Sequence, residues 1–314
     1  MKSFAFLFPG QGAQSVGMGK DLSDAFSEAK EVFAEADDAL GFKLSSLCFQ
    51  GPESDLILTM NTQPAIVTVS IAALRVLESR LDITPQCAAG HSLGEYSALI
   101  ASQALTFRDG VQAVRKRGQF MQEAVPAGEG GMAAILGMER EQVEELCRKA
   151  AGGEILTPAN FNAPGQIVIS GHIGAVDRAI GMAKSMGALK TVRLAVSAPF
   201  HCQLMGPAGS RLADHLSTVT IHPLMYPVVT NVEARENSDA GRVKEILVRQ
   251  LSSPVLWEDS IRSMVASGVE MFIEIGPGKV LSGLVKRISK SATILNLEDS
   301  KSLASLEKTW KEMH

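Results

Sequence analysis

The sequence predicts an α/β protein: a hydrolase-like layered domain on a parallel sheet, carrying an inserted small ferredoxin-like subdomain. Three observations carry this. Short apolar runs alternate with amphipathic helical segments at both ends of the chain, the pattern of a layered sheet. The middle of the chain reads β-α-β-β-α-β, the ferredoxin-like order. The chain also changes character at the Gly- and Pro-rich VPAGEGG, residues 125–131, where the insert begins.

The elements follow in order. FAFLF (4–8), closed by PGQG, reads as a buried parallel strand feeding a loop. Residues 21–40 repeat Phe26, Ala29, Val32, Phe33 and Ala36 on one helical face. A second helix is expected over 64–79, with Pro64 in its first turn. QCAAG (86–90) is then a short strand, followed by helices over 93–102 and 107–124. In the insert, strands are expected at 132–137, 154–160, 166–171 and 189–196, with helices at 139–150 and 175–187 and FNAPG as a turn. The larger domain resumes with a helix over 203–216, a strand over 226–232 and a helix from 242 that breaks before Pro254. A strand over 270–278, a helix from 280 and a helix-prone tail anchored by Trp310 complete the chain. Residues 1–127 and 198–314 are thus assigned to the large domain and 128–197 to the insert. At about 70 residues, that insert is near the small end for a domain.

The composition, with 46% hydrophobic and 20% charged residues, is that of an ordinary folded protein and not of a disordered one. A net charge of -4 gives no sign of a nucleic-acid partner. No apolar run approaches the roughly 20 residues that span a bilayer, so no membrane partner is expected. MKSFAFLFPGQG meets Pro9 and Gly10 too early for a signal peptide and reads as a first strand. Cys48, Cys87, Cys147 and Cys202 are scattered without CxxC or zinc spacing, so no metal is expected, and free thiols in a cytoplasmic protein are. PGQGAQSVGMG lacks both the Lys-Ser/Thr step of a P-loop and the G-x-G-x-x-G order, and no cofactor is expected.

The chemistry centres on GHSLG (90–94), a G-x-S-x-G pentapeptide between a short strand and an Ala/Leu-rich helix. In that context the serine sits on a sharp strand-to-helix turn, and N–H groups at the helix start can hold a negative oxygen. The alternative is a serine that merely caps the helix, with glycines for the bend. A serine nucleophile needs a base. His91 adjoins it and points elsewhere, toward the pocket wall. His172, His215, His222 and His314 have no suitable setting, which leaves His201 in SAPFHC, where the chain re-enters the large domain. Asp109, Glu123, Glu129 and Asp177 lie between Ser92 and His201, and none follows a clear apolar strand. The third member of a hydrolase triad is therefore missing or replaced by a main-chain carbonyl. In FRDGVQAVRKRGQFMQEA, Arg117 projects differently from Arg115; an arginine there can grip a carboxylate with two parallel hydrogen bonds.

Eight segments, FPGQGAQ, TQPAI, GHSLGEYSAL, VRKRGQFMQ, NFNAPGQIVISG, SAPFH, LSSPVLW and IEIGPGKVL, spread the same resemblance over nearly the whole chain. The sequence resembles malonyl-CoA:acyl carrier protein transacylases and, more widely, the acyltransferase domains of fatty-acid and polyketide synthases. The resemblance implies Ser92 as the acylated nucleophile, His201 as its base and Arg117 as the holder of the malonyl carboxylate. It implies main-chain N–H groups of Gln11 and Leu93 as the oxyanion hole, and the Gln250 carbonyl as the group that orients the histidine. Asn162 and Phe200 are implied at the pocket, beside His91. Malonyl-CoA and acyl carrier protein are the implied partners. Carrier proteins of this kind are acidic, so Lys184, Lys190, Arg193, Lys286, Arg287 and Lys290 are candidate docking residues.

Overall fold

A computed structural model describes residues 3–196 and 198–313. Ser197, at the expected end of the insert, and His314 lie outside the described residues. The first sheet is built from β1 (Phe4–Phe8), β2 (Cys87–Gly90), β7 (Val228–Val229), β8 (Glu236–Asn237), β9 (Met271–Ile275) and β10 (Thr293–Leu297), in the order β10-β9-β1-β2-β7-β8. Every neighbouring pair is parallel except β7 with β8. The second sheet holds β3 (Gly130–Leu136), β4 (Leu156–Ala163), β5 (Gln166–His172) and β6 (Lys190–Arg193), in the order β4-β5-β3-β6 with every pair antiparallel. Helices Arg140–Ala150 and Ile173–Ala183 connect them, completing the ferredoxin-like arrangement.

The FAFLF run explains the layering. Phe4, Phe6 and Phe8 point into one apolar core with the long helix Thr59–Arg80, while Ala5 and Leu7 face a second core with Trp257 and Leu281. Alternate residues of a strand serve opposite faces, so a strand apolar throughout is covered on both. The second sheet has a separate core around Ile135, Leu146 and Ile169. Trp310 anchors the last helix, its ring 5.2 Å edge-on from Phe4, as expected.

Several expected elements differ. The helix over 21–40 is two, Lys20–Ala25 and Ser27–Leu40, because Phe26 is extended at φ -132. Pro64 is not in a first turn but inside Thr59–Arg80. Proline cannot donate to the carbonyl four residues back, and that carbonyl, of Met60, accepts from Arg115 Nη1 at 2.8 Å instead. The expected strand over 226–232 shrinks to Val228–Val229, and a helix at Trp257–Ala266 and the strand β10 were not anticipated. FNA of FNAPG continues β4, leaving only Pro164 and Gly165 to turn.

Polar ties join the two sheets. Phe161 N–H donates to the Val255 carbonyl at 2.9 Å and Val255 N–H to Ala159 at 2.8 Å. Arg140 pairs with Asp259 at 2.7 Å, and Arg287 Nη2 donates to the Pro164 carbonyl at 3.0 Å. No helix among the described residues is long and apolar enough to cross a membrane.

Candidate active site

Ser92 leaves the carboxyl end of β2, at the sheet edge where open α/β folds place ligands. Its φ of 51 is left-handed, a strained conformation for a residue with a side chain. The flanking glycines are steric necessities. A Cβ on Gly90 would stand 1.9 Å from the Gly94 carbonyl carbon, and one on Gly94 would stand 2.2 Å from the Phe8 oxygen. Asn231 clamps the turn: its Oδ1 accepts the Ser92 N–H at 2.6 Å and its Nδ2 donates to the Gly90 carbonyl at 2.7 Å.

His201 is also left-handed, at φ 60, and 4% exposed. Its Nδ1 lies 2.9 Å from the Gln250 carbonyl, and its Nε2 lies 2.8 Å from Ser92 Oγ. A carbonyl can only accept, so Nδ1 carries the proton and Nε2 is the lone-pair nitrogen that accepts from the serine hydroxyl. Burial first, then the Arg117 charge, push the imidazole down to about 3. The ring is thus neutral at ordinary pH and able to take a proton from Ser92. Gln250 ends the helix Val243–Gln250, where carbonyls lack intrahelical partners. No Asp or Glu among the described residues bonds His201.

Arg115, Lys116 and Arg117 go three ways. Arg115 is half-buried on Met60, Lys116 is exposed, and Arg117 is 1% exposed beside the serine. Its Nη1 donates to Gln63 Oε1 at 2.8 Å, and its Nη2 to Gln250 Oε1 at 2.9 Å and to Ser92 Oγ at 3.1 Å. Its buried Nε has no acceptor among the described residues. Gly118 lets this helix, Phe107–Glu123, lie close to the helix below: a Cβ there would meet the Thr59 carbonyl oxygen at 2.7 Å.

These groups open on a cavity of about 110 Å³. Gln11, His91, Leu93 and Phe200 line it from the large domain, with Met132, Asn160, Leu194 and Val196 from the second sheet and its exit. Asn162 does not line it. Its Oδ1 accepts from His91 Nε2 at 2.8 Å, and it lines an adjoining cavity of about 150 Å³ that shares Gln11 and His91. A larger open groove, about 770 Å³ beside Phe33, Phe42 and Phe49, contains neither Ser92 nor His201. Three site residues were not singled out from the sequence. Gln63 stands in the quoted TQPAI, Asn231 in a segment read only as strand, and Glu95 in the quoted GHSLGEY. Glu95 carried a usable signal, being the one charged residue in a wholly buried helix, Gly94–Ala101. Its Oε2 accepts from Asn231 N–H at 2.9 Å and Gln250 Nε2 at 2.8 Å.

A nucleophile elbow, an imidazole oriented by a carbonyl and a buried arginine define an acyl-transferring serine site. Residues 5–313 match the acyl transferase domain, and the chain belongs to that family. It is 49% identical over 313 residues to the malonyl CoA-acyl carrier protein transacylase of Bacillus subtilis (strain 168), covering 99% of this chain and 98% of that one. The malonyl CoA-acyl carrier protein transacylase structure from Coxiella burnetii superposes with a TM-score of 0.96 at 43% identity, covering 98% of this chain and 97% of that one. A malonyl-transacylase solved in complex with a type II PKS acyl-carrier protein gives 0.96 at 42%, covering 98% and 100%.

Proposed function

We propose that the protein transfers a malonyl group from malonyl-CoA to the phosphopantetheine thiol of acyl carrier protein, through a malonyl ester on Ser92, in fatty-acid biosynthesis. The observation that carries this is the Arg117 guanidinium, buried beside the Ser92 hydroxyl with an Nε–H that has no acceptor among the described residues: a receptor for an acyl group that ends in a carboxylate. The names of the relatives support the same substrates and acceptor.

His201 Nε2 takes the Ser92 proton as Oγ attacks the thioester carbonyl. Main-chain N–H groups of Gln11 and Leu93, both at the cavity, hold the oxyanion. The C–S bond breaks, coenzyme A leaves as the thiol with the proton from His201, and malonyl-Ser92 remains. The carrier thiol then gives its proton to His201 and attacks the ester, and Ser92 leaves with that proton restored. A thioester is exchanged for a thioester, so neither direction is strongly driven. His91, held by Asn162 and tilted 5.4 Å from the Trp257 ring, walls the passage, and Phe200 closes another side. The large domain comprises 1–127 and 198–314, and the insert 128–197. We place the protein in the cytoplasm, where its four buried free cysteines stay reduced. On the docking side Lys286 is exposed, whereas Arg287 already holds Pro164 and Arg193 already pairs with Asp177.

Mass spectrometry after brief exposure to malonyl-CoA tests this reading. A malonyl adduct on Ser92, discharged onto added carrier protein, is the expected result. Release of free malonate as fast as transfer would make the protein a hydrolase instead.

A further inference from the structure

The mechanism above uses Ser92, His201, Arg117 and the Gln250 carbonyl, and leaves the buried charge of Glu95, beside them, unexplained. Glu95 is 1% exposed, one helical turn beyond Ser92. Burying a carboxylate is costly unless its contacts are specific. Here both its bonds go to residues that act on the site. Gln250 is the more informative. Its Oε1 accepts from Arg117 Nη2, its Nε2 donates to Glu95 Oε2 and to the Ser92 carbonyl at 3.1 Å, and its own carbonyl accepts from His201 Nδ1. The amide is thus stretched between a cation and an anion, which dictates which end faces which. Bonds with a charged partner are the stronger kind, so the polarity of the amide is firmly set. The second bond holds the main chain of Asn231, whose side chain grips the serine turn on both sides.

We infer that Glu95 is a positioning residue for transfer at Ser92, holding Gln250 and Asn231 in the arrangement that turns His201, Arg117 and the serine elbow toward one another. The inference rests on the acyl-transfer reading. Glu95 touches no reacting atom and acts through two residues distant in the chain.

The charge makes this role visible to pH. Burial pushes the Glu95 carboxyl up to about 7, against the opposing pull of Asn231, Gln250 and Arg117. The titratable groups around it are Arg117 from the helix Phe107–Glu123, Tyr96 on its own helix, Glu233 from the loop after β7, and His201 across Gln250. His201, pushed to about 3, does not titrate in the same window. Both Glu95 bonds use one oxygen, so protonation of the other, or replacement by glutamine, keeps the acceptor and loses only the charge.

The experiment compares wild type, Glu95→Gln and Glu95→Ala in the rate of Ser92 loading from malonyl-CoA between pH 5.5 and 8.5, with folding checked by circular dichroism. Wild type is expected to fall by about tenfold as pH drops through its transition, the difference between a charged and a neutral acceptor. Glu95→Gln should sit near the lower level at every pH, without the transition. Glu95→Ala should lose about 100-fold in kcat, as misplacement of supporting groups does, with KM changing less. A folded Glu95→Ala that loads at the wild-type rate overturns the inference. If that variant does not fold, Glu95→Gln decides: a transition matching wild type overturns it, and a flat profile supports it. Wild type that fails to load at any pH condemns the malonyl reading itself, a separate outcome.

Discussion

Arg117 is the residue whose surroundings most need explaining. A guanidinium with 1% exposure and no direct carboxylate partner among the described residues is costly to hold, and burial lowers its pKa. Gln63, Gln250, Ser92 and the Tyr96 ring, 5.8 Å from it, supply partial compensation. Such a cation is kept for what it binds. Arg117→Ala is therefore expected to cut kcat/KM for malonyl-CoA by about 100-fold or more, and to raise the ratio of acetyl to malonyl transfer. Steady-state kinetics with both thioesters check this, and an unchanged ratio would remove Arg117 from acyl recognition. At this scale the sequence was legible where a motif is local. Ser92 sits in a pentapeptide with its steric requirements beside it, and the place of His201, where the chain re-enters the large domain, set it apart from the other histidines. Glu95 and Asn231 were not legible as a pair, because the contact that gives each its meaning joins residues 136 apart in the chain.

Among the elements, the turn from β2 into the helix Gly94–Ala101 bears the tightest constraint. The backbone passes so close to β1 that no side chain fits at Gly94. Gly94→Ala is expected to destabilise the fold by about 3 kcal/mol or more, since the obstruction is main-chain oxygen that cannot swing away. A thermal melt beside that of wild type measures the effect. The alternation of strands and helices was readable here because each apolar run is bounded by Gly, Pro or charged residues. Boundaries failed for definite reasons. Pro64 looked like a helix start because its effect on the backbone is local, while its remedy, the Arg115 side chain, comes from another helix. Residues 226–232 looked like a strand, yet the main chain leaves the sheet after Val229, and Asn231 turns to the serine instead.

For the whole molecule, the order of the ferredoxin-like segment was evident from its six elements, while its seating on the first sheet was not. That seating depends on side chains such as Arg140 and Arg287, which resemble ordinary surface charges in the sequence. It has a consequence for chemical fidelity. Ser92 follows a strand of the first sheet, and part of the roof above it, Met132 and Leu194, comes from the second sheet and its exit, so an ester there is sheltered by a seam and not by a single continuous wall. A seam leaks when its fastenings are cut. Replacing Arg140 and Arg287 by alanine together should leave Ser92 loading nearly intact and shift the fate of the loaded acyl group toward water, seen as more free malonate per carrier turnover. An unaltered partition would show that shelter comes from the pocket walls alone. On this view the two arginines are seals: they guard the yield of the reaction more than its speed.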